Sequence, residues 1–208
     1  YLTFFQYPLG YNGEYHYKDA LATITVSEDS AEYLRFVFPL CPIFRVYHGI
    51  DPELFYYDPA LKKDQIAFMV RKNHEHAKQV IAMFRERGNT YPIVPIQDMH
   101  RDETARILRE SRFFMSYGYP EGFGLPPAEA MACGCTVIGY DGRGGREYFK
   151  EPYAIPIEYS DIVSYVKTLE AAVRGDIATD IEGASQFIHE TYSLTREQDS
   201  VLETWRKI

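Results

Sequence analysis

Two glutamates, Glu121 and Glu129, are the residues of this chain best suited to chemistry on a polar ligand. Seven residues separate them: Glu121 lies in a glycine-containing loop, and Glu129 follows two prolines typical of the first turn of a helix. A carboxylate accepts hydrogen bonds from sugar or ribose hydroxyl groups. The free N–H groups at a helix start attract an anion such as a diphosphate. The pattern therefore indicates a ligand that carries both hydroxyl groups and phosphates.

The elements that must position these glutamates alternate between strand and helix from about residue 64 onwards. Apolar runs predict strands at residues 65–70, 91–96, 112–116, 136–140 and 153–157. Helical stripes and caps predict helices at residues 73–88, 101–110, 128–132 and 145–149, and then at 162–173, 177–190 and 195–205. A capping box of Thr195 and Gln198 is predicted to start the last helix. This alternation predicts an α/β fold with a doubly wound parallel sheet and a helical C-terminal tail. Ligands of such sheets bind at the carboxyl ends of the strands.

Composition excludes several functional classes. The net charge of −8 argues against general binding to nucleic acid, and the apolar runs are too short to span a bilayer. Three cysteines suit a reducing compartment. Cys133 and Cys135 form a Cys-x-Cys pair without a second pair, so they are predicted to be small buried residues. His74 and His76, at i, i+2 spacing, do not share a helical face, so no metal site is predicted.

Aromatic residues make up 15% of the chain and are concentrated before residue 58. Two interpretations stay open: the rings form a local core around a short hairpin, or they face a domain that is absent from this chain. Exposed rings of this kind would favour self-association through the amino-terminal segment.

The tract EGFGLPPAEAMACG, from Glu121 to Gly134, resembles the E-x7-E signature of retaining glycosyltransferases of group 1, or family 4. These enzymes have the GT-B architecture of two Rossmann-like domains. Other segments resemble landmarks of the same family in the same order, namely Val26-Ser27-Glu28, His48-Gly49-Ile50-Asp51, Val70-Arg71 and Gly144-Gly145-Arg146-Glu147.

The resemblance implies a role for each matching residue. Glu121 would contact the donor hexose near the reacting carbon, and Glu129 would bind the ribose hydroxyl groups. Arg71 would neutralise the diphosphate and help the nucleoside diphosphate to leave without a metal. The loop backbone would face the diphosphate and the sugar, through the residues Gly122, Phe123, Gly124 and Leu125.

The chain departs from the family pattern around Arg71. Val70 stands where the family usually has glycine, and His76 stands where it usually has lysine. His76 would then be the second phosphate contact, unless Lys72 or Lys78 replaces the missing lysine.

The resemblance also implies a division of the chain. Residues 1–40 would be a lead-in and interdomain segment from a missing N-terminal domain, and residues 41–208 a Rossmann-like donor-binding domain, one half of a GT-B fold. The enzyme would transfer a hexose from a UDP- or GDP-linked sugar to a glycan or lipid-linked acceptor, with no cofactor or metal. We expect this chain alone to bind the donor but to have little transferase activity.

The family's common setting implies polysaccharide biosynthesis in the cytoplasm, or peripherally at the inner face of the membrane. Three other interpretations stay open. An enzyme on the same two-domain scaffold could perform epimerisation or phosphorolysis, although the sequence contains no motif for the lysine-anchored pyridoxal site that would favour phosphorolysis. The same scaffold could be a non-catalytic nucleotide-binding or interaction domain, which His76 favours. Glu121, Glu129 and Arg71 could instead be a solvated loop residue, a helix-start carboxylate and a surface arginine at a strand end.

Overall fold

Five parallel strands form the central sheet of the computed structural model, which describes residues 20–69 and 71–208. The strands lie in the order β4-β3-β5-β6-β7. They are β3 (Lys63–Met69), β4 (Ile93–Pro95), β5 (Ser111–Ser116), β6 (Thr136–Gly139) and β7 (Ala154–Pro156). Apolar residues on both faces of the central strands are fully buried, for example Ala67 and Ile66 on β3. Burial on both faces is typical of a parallel sheet, and the predicted doubly wound fold is confirmed.

Helices cover the sheet on both sides, and the core is divided accordingly. The helices of this part of the chain are α2 (His74–Glu86), α3 (Arg101–Glu110), α4 (Leu125–Ala132), α5 (Ile162–Arg174), α6 (Ile181–Thr191) and α7 (Leu194–Lys207). Residues of α3, α4 and α6 join one buried cluster, and residues of α2 and α5 join the other. None of the helices in the described part of the chain is long and apolar enough to cross a bilayer.

A separate amino-terminal unit consists of β1 (Thr23–Thr25), α1 (Glu28–Val37) and β2 (Ile43–Arg45). Its two strands pair in parallel and form a small sheet of their own. Val26 and Val46 of this unit belong to the same buried cluster as α4. The unit therefore packs against the main domain, while the aromatic residues predicted to associate before residue 20 lie outside the described residues.

Two predictions of local structure near the carboxyl half are wrong. Residues 145–149 form tight turns instead of a helix, with the amides of Tyr148 and Phe149 both donating to the Gly145 carbonyl, at 3.0 and 2.8 Å. The last helix begins after Ser193, whose hydroxyl accepts the Arg196 amide at 3.2 Å. Ser193 has the extended backbone that an N-cap needs. The predicted capping box of Thr195 and Gln198 therefore lies inside the helix, not at its start.

Asn73 precedes α2 as predicted, but its side chain does not cap the helix. Its backbone is left-handed, with φ of 54°, and the side-chain amide donates to the carbonyls of Tyr117 and Tyr119, at 2.8 and 3.1 Å. The loop after β3 is thereby joined to the loop after β5.

Candidate donor-binding site

A cleft opens at the carboxyl ends of β3, β5 and β6, where open parallel sheets bind their ligands. Its inner part is lined by residues that include Arg71, Lys72, Ser116, Tyr117, Gly118, Glu121, Gly124, Tyr140 and Asp141. Its outer part adds His48, Gly122, Phe123, Leu125 and Pro126. The structure thus brings together seven of the nine residues that the family resemblance selects. The other two, His76 and Glu129, lie outside this lining.

The site loop, residues 117–124, carries Glu121 and rests on the loop that follows β6. The Glu121 amide donates to the Gly142 carbonyl at 2.8 Å. A Cβ atom added at Gly144 would collide with the Gly122 carbonyl. Glycine at position 144 therefore lets the two loops approach closely enough for this contact.

The Glu121 carboxylate forms an ion pair with Lys72. Lys72 Nζ lies 3.2 Å from Glu121 Oε1, and the two side chains are only 26% and 28% exposed. Lys72 also donates to the Pro120 carbonyl. Lys78, in contrast, pairs with Glu75 at 2.8 Å on an exposed surface. Of the two lysines that could replace the family's lysine, Lys72 lines the cleft.

His76 reaches the cleft only through another side chain. Its Nδ1 lies 3.0 Å from the Tyr140 hydroxyl, and its ring contacts the rings of Tyr140 and Tyr159. Since Tyr140 lines the cleft, it lies between His76 and the site. The structure therefore places His76, which the sequence analysis assigned as a second phosphate contact, outside the lining of the cleft.

Glu129 lies on α4 in a markedly different environment. Burial raises the pKa of its carboxyl group to about 7, against the opposing effect of the Arg101 guanidinium. Among the described residues, none donates a hydrogen bond to this carboxylate or forms an ion pair with it. A half-buried carboxylate with spare accepting capacity is suited to a ligand that brings its own hydroxyl donors.

The start of α4 offers two backbone amides toward the cleft. Gly124 is the N-cap, with φ of 86° and no side chain that caps the helix. In the described part of the chain, the amides of Gly124 and Leu125 donate to no acceptor. Pro126 and Pro127 follow and have no N–H group. Gly124 and Leu125 are thus the donors that this helix start retains for an anion.

A neighbouring pocket shares Arg71 with the cleft. Ile96, Gln97, Asp98 and Met99 line it at the carboxyl end of β4. Ile96 and Met99 are apolar residues that could flank a flat ring. The pocket therefore offers room for a flat ring beside Arg71.

The sequence analysis missed the tyrosines around the cleft. Tyr117 and Tyr140 immediately follow β5 and β6, so both lie at the edge of the sheet where ligands bind. The position of each tyrosine directly after a predicted strand could have identified it as a residue of the ligand-binding edge. Within residues 20–69 and 71–208, no group of three His, Cys, Asp or Glu side chains is arranged to hold a metal ion.

The chain belongs to the glycosyl transferases group 1, whose family model matches residues 60–189. It is 36% identical over 103 residues to the alpha-1,6-glucosyltransferase of Actinobacillus pleuropneumoniae serotype 7, covering 47% of this chain and 31% of that one. It is 34% identical over 88 residues to a protein of Acidianus filamentous virus 2, covering 36% of this chain and 26% of the viral protein. The chain thus spans well under half the length of these relatives.

Solved glycosyltransferase structures share the fold. A TarM variant from S. aureus, in complex with Fondaparinux, alpha-GlcNAc-glycerol and UDP, superposes with a TM-score of 0.76 at 15% identity, over 88% of this chain and 43% of that one. A glycosyltransferase from Rickettsia africae gives 0.73 at 16% identity, over 92% and 65% of the two chains. HepE from Anabaena, in complex with UDP and glucose, gives 0.69 at 15%, over 91% and 64%. The described sheet is the Rossmann-like half of a GT-B fold.

Proposed function

We propose that this chain is the donor-binding half of a retaining glycosyltransferase. It would transfer a hexose from a UDP- or GDP-linked sugar to a glycan or lipid-linked acceptor, without a metal ion. The observation that carries the proposal is the clustering of two cations, Arg71 and Lys72, with Glu121 and two free amides at the carboxyl ends of the strands.

Each part of a nucleotide sugar has a matching group in this arrangement. The amides of Gly124 and Leu125 and the two cations suit the diphosphate. Glu121 suits the hydroxyl groups of the sugar, and Glu129 those of the ribose. The structures of TarM with UDP and of HepE with UDP and glucose support a UDP-linked donor.

The cations would also act on the reaction itself. When the bond between the sugar carbon and the phosphate oxygen breaks, negative charge grows on the departing nucleoside diphosphate. Arg71 and Lys72 would stabilise that charge, which is the task that a metal ion performs in other enzymes. Retention of configuration is inferred from the resemblance to retaining enzymes.

The acceptor side of the reaction belongs to the rest of a GT-B enzyme. We therefore infer that the 208-residue chain binds donor with little transfer activity, and that the enzyme works in the cytoplasm or at the inner face of the membrane. The non-catalytic alternative drawn from His76 loses its main support, because Lys72 supplies a second cation in the cleft.

The test is calorimetric titration of the chain with UDP, GDP, ADP and dTDP, each with and without EDTA. We expect one nucleotide to bind, EDTA to leave its affinity unchanged, and Glu129→Ala to abolish binding. Glu203→Ala is the matched control, because Glu203 is an exposed helical glutamate of α7. Failure of all four nucleotides at millimolar concentration, or binding that EDTA removes, would contradict the proposal.

A further inference from the structure

Tyr148 is a completely buried residue that contacts the site loop from the protein core. It lies in the loop after β6 and is 0% exposed. Its hydroxyl lies 3.0 Å from the Phe123 carbonyl and 2.5 Å from the Gly124 carbonyl, so its single hydrogen is shared between the two peptide groups at the start of α4, with the shorter contact to Gly124. Its ring also packs on Phe123, with 5.0 Å between centroids.

This contact sets the direction of the amides that face the cleft. In a trans peptide the C=O and N–H groups point in opposite directions. The carbonyls of Phe123 and Gly124 point toward Tyr148, so the amides of Gly124 and Leu125, in the same two peptide groups, point away from it. Neither of these two amides donates to an acceptor in the described part of the chain.

The absence of a side chain at Gly124 leaves room for the Tyr148 hydroxyl. A Cβ atom at position 124 would lie 2.8 Å from the Tyr148 hydroxyl oxygen, and φ at this position is 86°. Only glycine adopts this backbone conformation readily beside the ring. Burial raises the pKa of the Tyr148 hydroxyl, which keeps it protonated as a donor.

Tyr148 is itself held in place through its neighbour, Glu147. The Glu147 carboxylate pairs with Arg45 and accepts hydrogen bonds from the Tyr192 hydroxyl at 2.9 Å and from the Glu28 amide at 3.2 Å. Arg45 and Glu28 belong to the amino-terminal unit, and Tyr192 follows α6. The loop that carries Tyr148 is thus attached to two elements outside the site.

We propose that Tyr148 is a positioning residue of the donor site, which orients the Gly124 and Leu125 amides toward the diphosphate. This inference rests on the proposed function, and it assigns Tyr148 no contact with the donor itself. A purely structural residue would affect all parts of a ligand alike. Substitution of Tyr148 would weaken the binding of the diphosphate and leave the binding of the nucleoside unchanged.

The experiment compares Tyr148→Phe with Tyr165→Phe in the 208-residue chain. Tyr165 is the matched control: it is equally buried, and its hydroxyl lies 2.8 Å from the Ile138 carbonyl and 3.2 Å from that of Ser116, both in the sheet. The backbone order of the Gly124 and Leu125 amides is measured first, by ¹⁵N relaxation without ligand. Binding of the best of UDP, GDP, ADP and dTDP and of its parent nucleoside is then measured by calorimetry and NMR.

We expect Tyr148→Phe to increase the backbone motion of the two amides, to weaken diphosphate binding about tenfold and to leave nucleoside binding unchanged. Tyr165→Phe should change none of the three. If Tyr148→Phe does not fold, Gly124→Ala displaces the same contact from the loop side and should give the same selective loss.

Unchanged backbone order at the two amides in Tyr148→Phe, or equal losses for the diphosphate and the nucleoside, would overturn the positioning role while the proposed function stands. Failure of the unaltered chain to bind any of the four diphosphates would overturn the proposed function, and this inference with it. That failure is distinguishable because it precedes any substitution.

Discussion

The two signature glutamates lie in opposite electrostatic environments, although they are eight positions apart. Glu121 lies in a loop, partly exposed, with Lys72 Nζ at 3.2 Å. Glu129 lies on α4, and burial, which the Arg101 guanidinium offsets only in part, raises its carboxyl pKa to about 7. The same side chain is therefore paired with a cation at one end of the tract, and its charge is penalised by burial at the other.

This difference indicates which ligand groups each glutamate can serve. A phosphate group that enters the cleft would compete with the Glu121 carboxylate for Lys72. The strength of the Glu121–Lys72 ion pair therefore depends on whether a phosphate is bound. The ionised form of Glu129 is stabilised most by a ligand that donates hydrogen bonds to it, because those bonds oppose the effect of burial. A diphosphate near the first and a ribose near the second match this division.

The largest expected effect is on stability, from Glu129→Gln. The pKa of Glu129 is about 7 in the folded chain against an ordinary value of 4.5, so the folded state binds the proton more tightly. The stabilisation from that proton is present below pH 4.5 and is lost as pH rises toward 7. We expect Glu129→Gln to raise the free energy of unfolding by about 2 kcal/mol at about pH 8 and little at about pH 5. Urea unfolding at both pH values measures this, and equal effects at both would contradict it.

The second expected effect is on the pH dependence of nucleotide binding. The ionised Glu129 carboxylate would accept hydrogen bonds from both ribose hydroxyl groups, and its ionised fraction rises through a pKa of about 7. Affinity for the nucleoside diphosphate should therefore increase about tenfold between about pH 6 and pH 8 relative to Glu129→Gln. The variant corrects for titration of the ligand itself. Parallel pH profiles would exclude Glu129 as the ribose contact.

The third expected effect separates the two lysines near Arg71. Lys72→Ala removes a cation that lines the cleft, and we expect nucleoside diphosphate binding to weaken about fivefold. Lys78→Ala removes a cation paired with Glu75 on an exposed surface and should leave the affinity unchanged. Calorimetry at low and high salt measures both. Equal losses would show that general charge, and not the position of Lys72, determines the affinity.

The smallest expected effect comes from Glu121→Gln. This change removes a negative charge beside the diphosphate and releases Lys72, so the nucleoside diphosphate should bind about twofold more tightly. The corresponding nucleotide sugar should gain less, because the side-chain amide of the variant has one oxygen and cannot replace both carboxylate acceptors. The ratio of the two affinities is the measurement. A loss of diphosphate binding would mean that Glu121 holds the loop together instead of contacting the sugar.

Helices and strands could be predicted from the sequence where the periodic spacing of apolar residues was clear. The helix at Arg101–Glu110 was predicted to the residue, because the apolar spacing of Ala105 and Leu108 coincides with acidic residues in the first turn. Residues 145–149 were predicted wrongly, because the geometry of this segment is set by a distant contact between Gly144 and Gly122. Local propensity carries no information on such a contact.

The sequence selected residues of which seven line one cleft in the structure, but it did not reveal the interactions among them. The pairing of Lys72 with Glu121 depends on β3 lying beside β5 in the sheet, which spacing along the chain does not reveal. The position of His76 behind Tyr140 depends on side-chain packing across the same edge. Tyr148 had no motif to mark it, since it contacts the loop backbone from inside the core.

Pro126 and Pro127 have a thermodynamic consequence beyond removing two donors. Their rings hold φ near roughly −65° in the unfolded chain as well as in the helix. The turn at the start of α4 therefore has little conformational entropy left to lose when a ligand binds. Anion binding at this turn should accordingly carry a small entropic cost, and replacing the prolines with alanine should increase that cost although two N–H groups are restored.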